Sequence, residues 1–319
     1  MRALVARYPR LADLARVDLR VRETPVERWC VDDVMLLIKR DDLSCDTLGG
    51  NKVRALELLL AGVGPDHTLL TVGATGSTHA LAVAQFGERL GAVTEVITWP
   101  QESHVVSRAT AARLTTLATV TPARSVAEAY LRAIVRRLRR RVHWVPAGGS
   151  VALGALGHVS AALELAAQLE RDGVTPPELL VVPLGSGGTV AGLLVGLALA
   201  GLRTRIVGVQ VVPGIIASRR QVLGLAERTR TLLARQIGML VPSPDPAHLE
   251  IDRGAYGGAY GRETIGATRA ANALRSAGGP QLDATYSAKA FSVALARARH
   301  APDGRVLFWL TFDGRWLDG

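Results

Sequence analysis

The stretch VVPLGSGGTVAGLL (residues 181–194) carries the features that decide the fold. Its first residues belong to a nearly continuous apolar run at 178–185, which is typical of a strand covered on both faces of a parallel sheet. A turn of glycines and small hydroxyl residues follows, and an apolar helical pattern begins at Gly188. Strand, glycine-rich turn and helix in direct succession predict an α/β unit.

The same alternation extends along the chain in both directions. Strands are predicted at 34–40, 67–74, 94–99, 141–147, 178–185, 205–212 and 305–312. Helices are predicted at 52–62, 77–91, 159–173, 188–201 and 218–236. Strands and helices that alternate through short connections predict an α/β architecture with right-handed crossovers.

Composition indicates a soluble globular protein of one large or two medium domains, with 319 residues, 48% hydrophobic and 21% charged. The N-terminus has no uninterrupted apolar segment, so no signal peptide is expected. The longest apolar run, 189–202, is too short to span a bilayer, and a buried helix is expected there instead. Two cysteines, Cys30 and Cys45, fit neither a metal site nor a disulfide framework, so a reducing cytoplasm is expected.

The formal net charge of +10 is compatible with a polyanion partner or with a surface biased toward arginine. The basic residues are spread along the chain, which favours the second interpretation, and neither a nucleic-acid nor a membrane partner is expected. One dense basic cluster lies at 132–142. Its apolar residues recur at helical spacing, which predicts a solvated basic face on an amphipathic helix.

The turn after the 178–185 strand is a candidate anion site, because backbone N–H groups converge there and the helix N-terminus adds its dipole. A dinucleotide fingerprint would need a glycine where Val190 stands, and an acidic residue where the next strand offers Gln210. The turn contains no lysine, which excludes a nucleotide P-loop. A single phosphate monoester and a tight turn without a ligand both remain open. The turn residues are Gly185, Ser186, Gly187, Gly188 and Thr189.

A second strand runs into a similar turn at 71–85. Ser77 or Thr78 would make a good N-cap for the helix that follows, which is a purely structural interpretation. Beside a phosphate site, the same helix start could instead receive the carboxylate of a small substrate.

The segment LSCDTLGGNKVRALELLLAG (43–62) contains one of only three lysines, the others being Lys39 and Lys289. Lys52 follows two glycines and an asparagine, where the backbone could approach a ring closely. An aldehyde cofactor with one phosphate is pyridoxal 5′-phosphate, which binds a lysine covalently while its phosphate is held elsewhere. The alternative is that Lys52 is a solvated residue in the first turn of a helix.

Taken together, six segments resemble the D-cysteine desulfhydrase / 1-aminocyclopropane-1-carboxylate deaminase family. The segments are 38–61, 71–91, 181–199, 257–264, 282–291 and 305–314. The resemblance implies a pyridoxal-phosphate enzyme of the tryptophan synthase β-like fold, called fold type II. It implies two open twisted α/β domains with the cofactor between them: 1–52 plus 155–319 as the large domain and 53–154 as the small one. It also implies a homodimer.

The resemblance further implies roles for individual residues. Lys52 matches the lysine that binds the cofactor and moves the substrate α-proton. The matched positions near the cofactor are Asn51, Arg54, Thr78 and Thr311, together with the phosphate turn at 185–189. The matched substrate positions are Ser77, Thr78, His79 and Ser287, with Tyr260 and Tyr286 as acids or orienting groups for the leaving group. No metal ligand is implied.

The chain departs from the family pattern at several of these positions. Thr78 replaces an asparagine, Gly76 replaces a glutamine, and Ser287 stands where the ring-opening deaminases have a glutamate. The final strand ends in Leu310-Thr311-Phe312-Asp313-Gly314 where His-Thr-Gly-Gly would be typical. A hydroxyl rather than an acid near the pyridine nitrogen makes a milder electron sink, which favours β-elimination over ring opening.

The expected function is therefore a lyase that acts on a small, D- or β-substituted amino acid and yields a 2-oxo acid and ammonia. A β-replacement synthase, a racemase and a ring-opening deaminase are alternative enzymes on the same cofactor. A non-catalytic homologue is the further alternative, because a fold does not fix a function.

Overall fold

A computed structural model describes residues 1–103, 105–302 and 304–317, and the elements below lie in these ranges. The strands are β1 (Val26–Val31), β2 (Val34–Arg40), β3 (Thr68–Ala74), β4 (Val93–Trp99), β5 (Thr119–Pro122), β6 (His143–Trp144), β7 (Leu179–Leu184), β8 (Arg205–Gln210), β9 (Leu249–Asp252) and β10 (Val306–Leu310). The helices are α1 (Arg2–Arg7), α2 (Asn51–Leu59), α3 (Thr78–Arg89), α4 (Val105–Leu117), α5 (Val126–Arg139), α6 (Ala152–Arg171), α7 (Gly188–Leu199), α8 (Arg219–Ile237), α9 (Ile265–Ser276) and α10 (Ser287–Ala298).

The larger sheet has six strands in the order β1-β2-β10-β7-β8-β9. All neighbouring pairs are parallel except β1 and β2, which form an antiparallel pair at the edge. Strand β10 lies between β2 and β7, with Phe308 opposite both Ile38 and Val181. The segments that follow β2, β7 and β10 therefore leave from the same edge of the sheet.

The smaller sheet has four parallel strands in the order β5-β4-β3-β6. Helix α3 starts directly after β3, so its N-terminus lies at the carboxyl edge of this sheet. The strands come from residues 68–144, a range within the 53–154 segment expected to form the small domain. The domain boundaries themselves stay a prediction.

The predicted parallel α/β class agrees with these sheets, whereas several individual elements were missed. Strand β2 has the predicted bounds of 34–40, but β6 covers only His143–Trp144 of the predicted 141–147. Helix α6 begins at Ala152 rather than at 159. The elements that the hydrophobic pattern did not predict are β1, β5, β9, α1, α4, α9 and α10.

The apolar run at 189–202 forms α7, a buried helix that packs closely on α6. A Cβ at Gly192 would lie 2.4 Å from the Ala155 carbonyl oxygen, and one at Gly196 would lie 2.5 Å from Ala162 Cβ. Close approach of the two helices therefore requires glycine at these positions. By length and composition, α6 alone among the described helices could cross a membrane, and 72% of that window is buried inside the protein.

The basic cluster at 132–142 lies on α5, which ends at Arg139 rather than continuing to 142. The predicted amphipathic helix with a basic face is present, and apolar side chains are also exposed on it. Leu131 is 62% exposed and Leu138 is 82% exposed. Arginines and large apolar residues therefore share the outer surface of α5.

Candidate active site

A single cavity collects most of the residues that the sequence assigned to the site. Its volume, including the open mouth, is about 710 Å³. The predicted residues that line it are Asn51, Lys52, Thr78, Gly185, Ser186, Gly187, Gly188, Thr189, Tyr286 and Thr311. They come from the segments after β2, β3, β7 and β10 and from the start of α10, so the cavity lies where both sheets present their carboxyl ends.

The segment 44–52, which ends at Lys52 and is called the lysine loop below, packs against the end of β10. Two glycines in this loop allow the two backbones to approach each other. Gly50 has φ +97°, and a Cβ there would lie 2.5 Å from the Thr311 carbonyl oxygen. That oxygen accepts a hydrogen bond from the Asn51 N–H at 3.1 Å. The Gly49 N–H donates to Asp313 Oδ2 at 2.8 Å. These contacts hold Lys52 in the first turn of α2, at the cavity wall.

Lys52 differs from the other two lysines in having no hydrogen-bond acceptor among the described residues. Lys39 Nζ donates to Glu164, Gln168 and the Thr24 carbonyl, and Lys289 Nζ donates to the Tyr256 carbonyl. Burial lowers the pKa of Lys52 to about 8. A sizeable fraction of this amine is therefore uncharged near neutral pH, as a nucleophile or base requires.

The lowered pKa predicts how Lys52 reacts in the protein freed of cofactor. Because the neutral amine is the reactive form, raising the pH from 7 to 8 should increase the rate of reductive methylation at Lys52 about fivefold. Peptide mapping by mass spectrometry over pH 6–11 measures this rate. We expect a midpoint near 8, with Lys39 and Lys289 reacting far more slowly. A midpoint near the ordinary lysine pKa would contradict the burial of this amine.

The turn after β7 has the geometry of an anion cradle. Gly187 has φ +90° and caps α7, a conformation that favours glycine. A Cβ at Gly185 would meet no protein atom within 4 Å, so the space beside it is open to the cavity. Asn51 Nδ2 donates to Thr189 Oγ1 at 2.7 Å, which ties the lysine loop to the turn.

Ser150 supports this turn from a distant segment and was not predicted. Its hydroxyl accepts the Gly188 N–H at 3.1 Å and lies 2.7 Å from the Ser186 hydroxyl oxygen. A Cβ at Gly188 would lie 2.8 Å from Ser150 Oγ. The only sequence signal for this contact was the small-residue run Gly148-Gly149-Ser150, which many turns share.

Two buried histidines lie close enough to Lys52 for its positive charge to lower their pKa values. Burial, and then the positive charge of Lys52, lower the pKa of His79 and of His158 to about 3. Both rings are therefore neutral at physiological pH. His158, which was not predicted, has Nε2 3.5 Å from Thr189 Oγ1 at the phosphate turn.

Tyr286 lines the cavity and forms a hydroxyl chain with two other predicted residues. Its OH is hydrogen-bonded to the OH of Tyr260 and to the side chain of Thr78. Burial raises the pKa of Tyr260 to about 12 and raises that of Tyr286 well above its usual value. Both phenols therefore keep their protons at neutral pH, and either hydroxyl can donate in the hydrogen bond between them. The Tyr286 N–H donates to Asp283 Oδ2 at 2.8 Å, which fixes the start of α10.

Arg54 was expected near the cofactor phosphate, and the structure places it elsewhere. It is 1% exposed and forms ion pairs with Asp41 at 2.6 Å and Glu164 at 3.1 Å. Two residues along a helix correspond to about 200° of rotation, so Arg54 leaves α2 on the side opposite Lys52. Its interactions join α2 to α6 and the end of β2. Loss of one member of such a buried network typically costs about 3–5 kcal/mol.

Four other predicted residues do not line the cavity. Ser77 caps α3 by accepting the Ala80 N–H at 3.3 Å, and His79 Nε2 lies 3.4 Å from Thr71 Oγ1. Tyr260 reaches the cavity only through Tyr286. Ser287 is fully buried in the first turn of α10, and its hydroxyl has no hydrogen-bond partner among the described residues.

The residues present fit pyridoxal 5′-phosphate. The cavity combines an amine without an acceptor, an anion cradle open beside Gly185, and the Thr311 hydroxyl at the end of β10. These features define a pyridoxal-phosphate-dependent enzyme of the α/β class. A family model described as "Pyridoxal-phosphate dependent enzyme" matches residues 17–311, and the chain belongs to this family. Pyridoxal phosphate is therefore its cofactor.

The chain is similar to proteins with two different activities. It is 35% identical over 288 residues to nocardicin C-9′ epimerase of Nocardia uniformis subsp. tsuyamanensis, with 86% of this chain and 85% of that protein covered. It is 33% identical over 321 residues to D-cysteine desulfhydrase of Serratia proteamaculans, with 94% of each chain covered.

The solved structures agree with the expected fold type II. The chain is similar to an ACC deaminase homologue with a TM-score of 0.77 and 26% identity, over 98% of this chain and 95% of that one. Threonine deaminase isoform 2 from Solanum lycopersicum, in its processed form, has a TM-score of 0.61 at 16% identity, over 98% of this chain and 83% of that one, which shows the shared fold.

Proposed function

We propose that the protein is a lyase that removes a β-substituent from a small amino acid and yields a 2-oxo acid and ammonia. The observation that carries this proposal is the pairing, in one cavity, of an amine of lowered pKa with a phenol that keeps its proton. β-Elimination requires both a base for the α-proton and an acid for the leaving group. The similarity to D-cysteine desulfhydrase supports the same reaction.

The residues divide the binding of the cofactor among three segments. The turn at 185–189 would hold the phosphate through backbone N–H groups, Lys52 would hold the aldehyde carbon, and Thr311 would face the pyridine nitrogen. When bound, the cofactor supplies an electron sink that stabilises negative charge at the substrate Cα. Thr311 would offer the pyridine nitrogen a hydroxyl rather than a carboxylate.

The proton movements are assigned to the two groups that line the cavity. The Lys52 amine, whose pKa burial lowers to about 8, would take the α-proton of the substrate. As the bond from Cβ to the leaving atom breaks, its electron pair stays with the leaving atom, and Tyr286 donates the proton. Tyr260 is placed to return a proton to Tyr286 through their hydrogen bond.

The substrate carboxylate is assigned to Thr78 and the N-terminus of α3. Thr78 lines the cavity, whereas the hydroxyl of Ser77 is already occupied as the cap of α3. A helix N-terminus favours a carboxylate through its dipole and its unpaired N–H groups. The resemblance supports a homodimer, and the two free cysteines, Cys30 and Cys45, support a cytoplasmic location; both belong to this proposal.

An epimerase or racemase is the second candidate. It needs one group to remove the α-proton and another to return a proton to the opposite face of Cα. Lys52 and Tyr286 are two groups on one cavity that can carry a proton, and the 35% identity to an epimerase favours this alternative.

Product analysis tests the proposed reaction. β-Chloro-D-alanine or D-cysteine, with one water, should give pyruvate, ammonia and chloride or hydrogen sulfide. We expect pyruvate to form from at least one β-substituted alanine, measured by coupling to lactate dehydrogenase. 1-Aminocyclopropane-1-carboxylate should give little 2-oxobutyrate, because position 287 offers no acid. The Lys52→Ala protein serves as the control for background elimination.

Two results would contradict this assignment. Efficient release of 2-oxobutyrate with no pyruvate from any β-substituted alanine of either hand would indicate a ring-opening deaminase. Exchange of the α-proton with solvent deuterium and inversion of configuration, without pyruvate, would indicate the epimerase.

A further inference from the structure

The segment that follows β10 contributes an aromatic surface to the cavity. Phe312 and Trp316 both line it, with ring centroids 6.3 Å apart and planes at 64°, an edge-to-face contact. Leu48 and Leu81 line the same cavity from the lysine loop and from α3. We refer to Leu48, Leu81, Phe312 and Trp316 as the apolar wall.

Buried polar contacts fix the segment that carries the wall. Asp313, which is 4% exposed, accepts hydrogen bonds from the Gly49 N–H and from Arg315 Nη2, each at 2.8 Å. Arg315 Nη2 also donates to the Cys45 carbonyl at 3.0 Å. The chain after β10 is therefore tied to the loop that precedes Lys52.

Trp316 is held from its other side by α4. The Arg113 guanidinium lies 5.5 Å from the centroid of the Trp316 ring, within the range of a cation–π contact. Arg113 Nη2 in turn donates to Gln85 Oε1 at 2.7 Å. The aromatic ring is thus placed by contacts from α3 and α4 before any ligand binds, which reduces the entropy lost on binding.

The charged side chains of the cavity are already engaged. Among the described residues that line it, the charged ones are Lys52 and Asp313, and Asp313 is already paired with Arg315. Lys52 is committed to the cofactor. An apolar substituent would bury its surface against the four side chains of the apolar wall, whereas a charged substituent would lose water without gaining an oppositely charged side chain that is free to pair with it.

We propose that the apolar wall receives the β-substituent of the substrate, and that this substituent is an alkyl or aryl group on the leaving sulfur or oxygen. The inference rests on the proposed β-elimination and names its substrate class. An S-alkyl or S-aryl cysteine would react with water to give pyruvate, ammonia and the thiol. The C–S bond breaks with its electron pair on sulfur, which takes a proton.

A substrate series with a common product tests this inference. The cofactor-loaded protein is given cysteine, S-methylcysteine, S-benzylcysteine and S-carboxymethylcysteine of both hands, and pyruvate is measured. We expect kcat/KM for the S-benzyl compound to exceed that for cysteine at least about tenfold, since pocket discrimination by apolar groups spans about 10- to 200-fold. The S-carboxymethyl compound should be the poorest substrate.

Variants separate the wall from the catalytic groups. Trp316→Ala should lower the ratio of S-benzyl to S-methyl kcat/KM about tenfold, with the loss mainly in KM. Trp29→Ala, on the edge strand β1 and outside the cavity, is the matched control and should leave the ratio unchanged. The cofactor absorbance of Trp316→Ala should equal that of the parent protein.

The possible failures are distinguishable. Pyruvate from cysteine or from the S-carboxymethyl compound at the highest kcat/KM would overturn the substrate class and leave the lyase intact. Pyruvate from none of the series and from no other β-substituted alanine would overturn the lyase itself. If Trp316→Ala loses cofactor while the ratio stays constant, the wall packs against the cofactor and not against the substrate.

Discussion

Replacement of Lys52 by alanine is expected to lower kcat/KM for pyruvate formation at least about 10³-fold, because the variant loses both the cofactor attachment and the base. Lys52→Arg should be equally inactive. Arginine keeps a positive charge, but it has no accessible neutral form to remove a proton. Coupled assay of both variants against the parent protein measures the effect.

Folding should survive the change, which makes the result interpretable. Lys52 has no ion-pair or hydrogen-bond partner among the described residues, so its removal leaves no buried charge unpaired. Thermal unfolding monitored by circular dichroism provides the control. Borohydride reduction of the parent protein followed by peptide mapping should place the cofactor on Lys52. A label on Lys39 or Lys289 would contradict the assignment.

Much of the fold could be predicted because the central strands are long, apolar runs. Strands β2 and β7 and helix α7 have an unambiguous pattern, since both faces of the sheet are covered. Strand β1 was missed because it is an antiparallel edge strand with exposed polar residues. Strands β5 and β9 have four residues each, too few for a period to be recognised.

The sequence predicted only those site residues that belong to a local motif, in which neighbouring residues of the chain form the site together. Lys52 and the turn at 185–189 are local motifs whose glycines mark close backbone approach. Ser150 contacts the same turn from the loop before α6, and His158 contacts it from α6 itself. Such tertiary contacts have no signature in the local sequence. Arg54 shows the converse, because the family resemblance placed it near the cofactor, while helix geometry turns its side chain away from the side of α2 that carries Lys52.

The three lysines illustrate how environment separates residues of one type. Lys39 is fully buried within a network of Glu164, Gln168 and Arg54, where its charge is compensated. Lys52 lines the cavity, and its amine has no hydrogen-bond acceptor among the described residues. Because lysine is rare in this chain, all three lysines were candidates for a functional role. Only their contacts in the structure distinguish a structural lysine from a reactive one.

Introduction of a carboxylate into the phosphate turn is expected to expel the cofactor. Gly188 is a poor position for this test, because a Cβ there would lie 3.2 Å from Ser150 Cα and the backbone would have to move. Gly185 is suitable, since a Cβ there meets no protein atom within 4 Å and the position lines the cavity. Gly185→Asp therefore changes charge inside the cradle with little effect on packing.

The expected loss follows from Coulomb's law. Two like charges about 4 Å apart at an effective dielectric constant of about 20 repel by about 4 kcal/mol, which corresponds to about a 10³-fold weaker affinity. Absorbance titration of the cofactor-free protein with pyridoxal phosphate measures the dissociation constant. Gly185→Asn has nearly the same shape without the charge, so it should lose much less.

Salt and a distant matched variant complete the test. The difference between the Asp and Asn variants should shrink as ionic strength rises, because salt screens the repulsion. Gly266→Asp, in the first turn of α9 where a Cβ also meets no atom within 4 Å, should bind the cofactor like the parent protein. Equal affinities for the Asp and Asn variants at position 185 would show that the phosphate lies elsewhere, since a carboxylate beside a bound phosphate must weaken its binding.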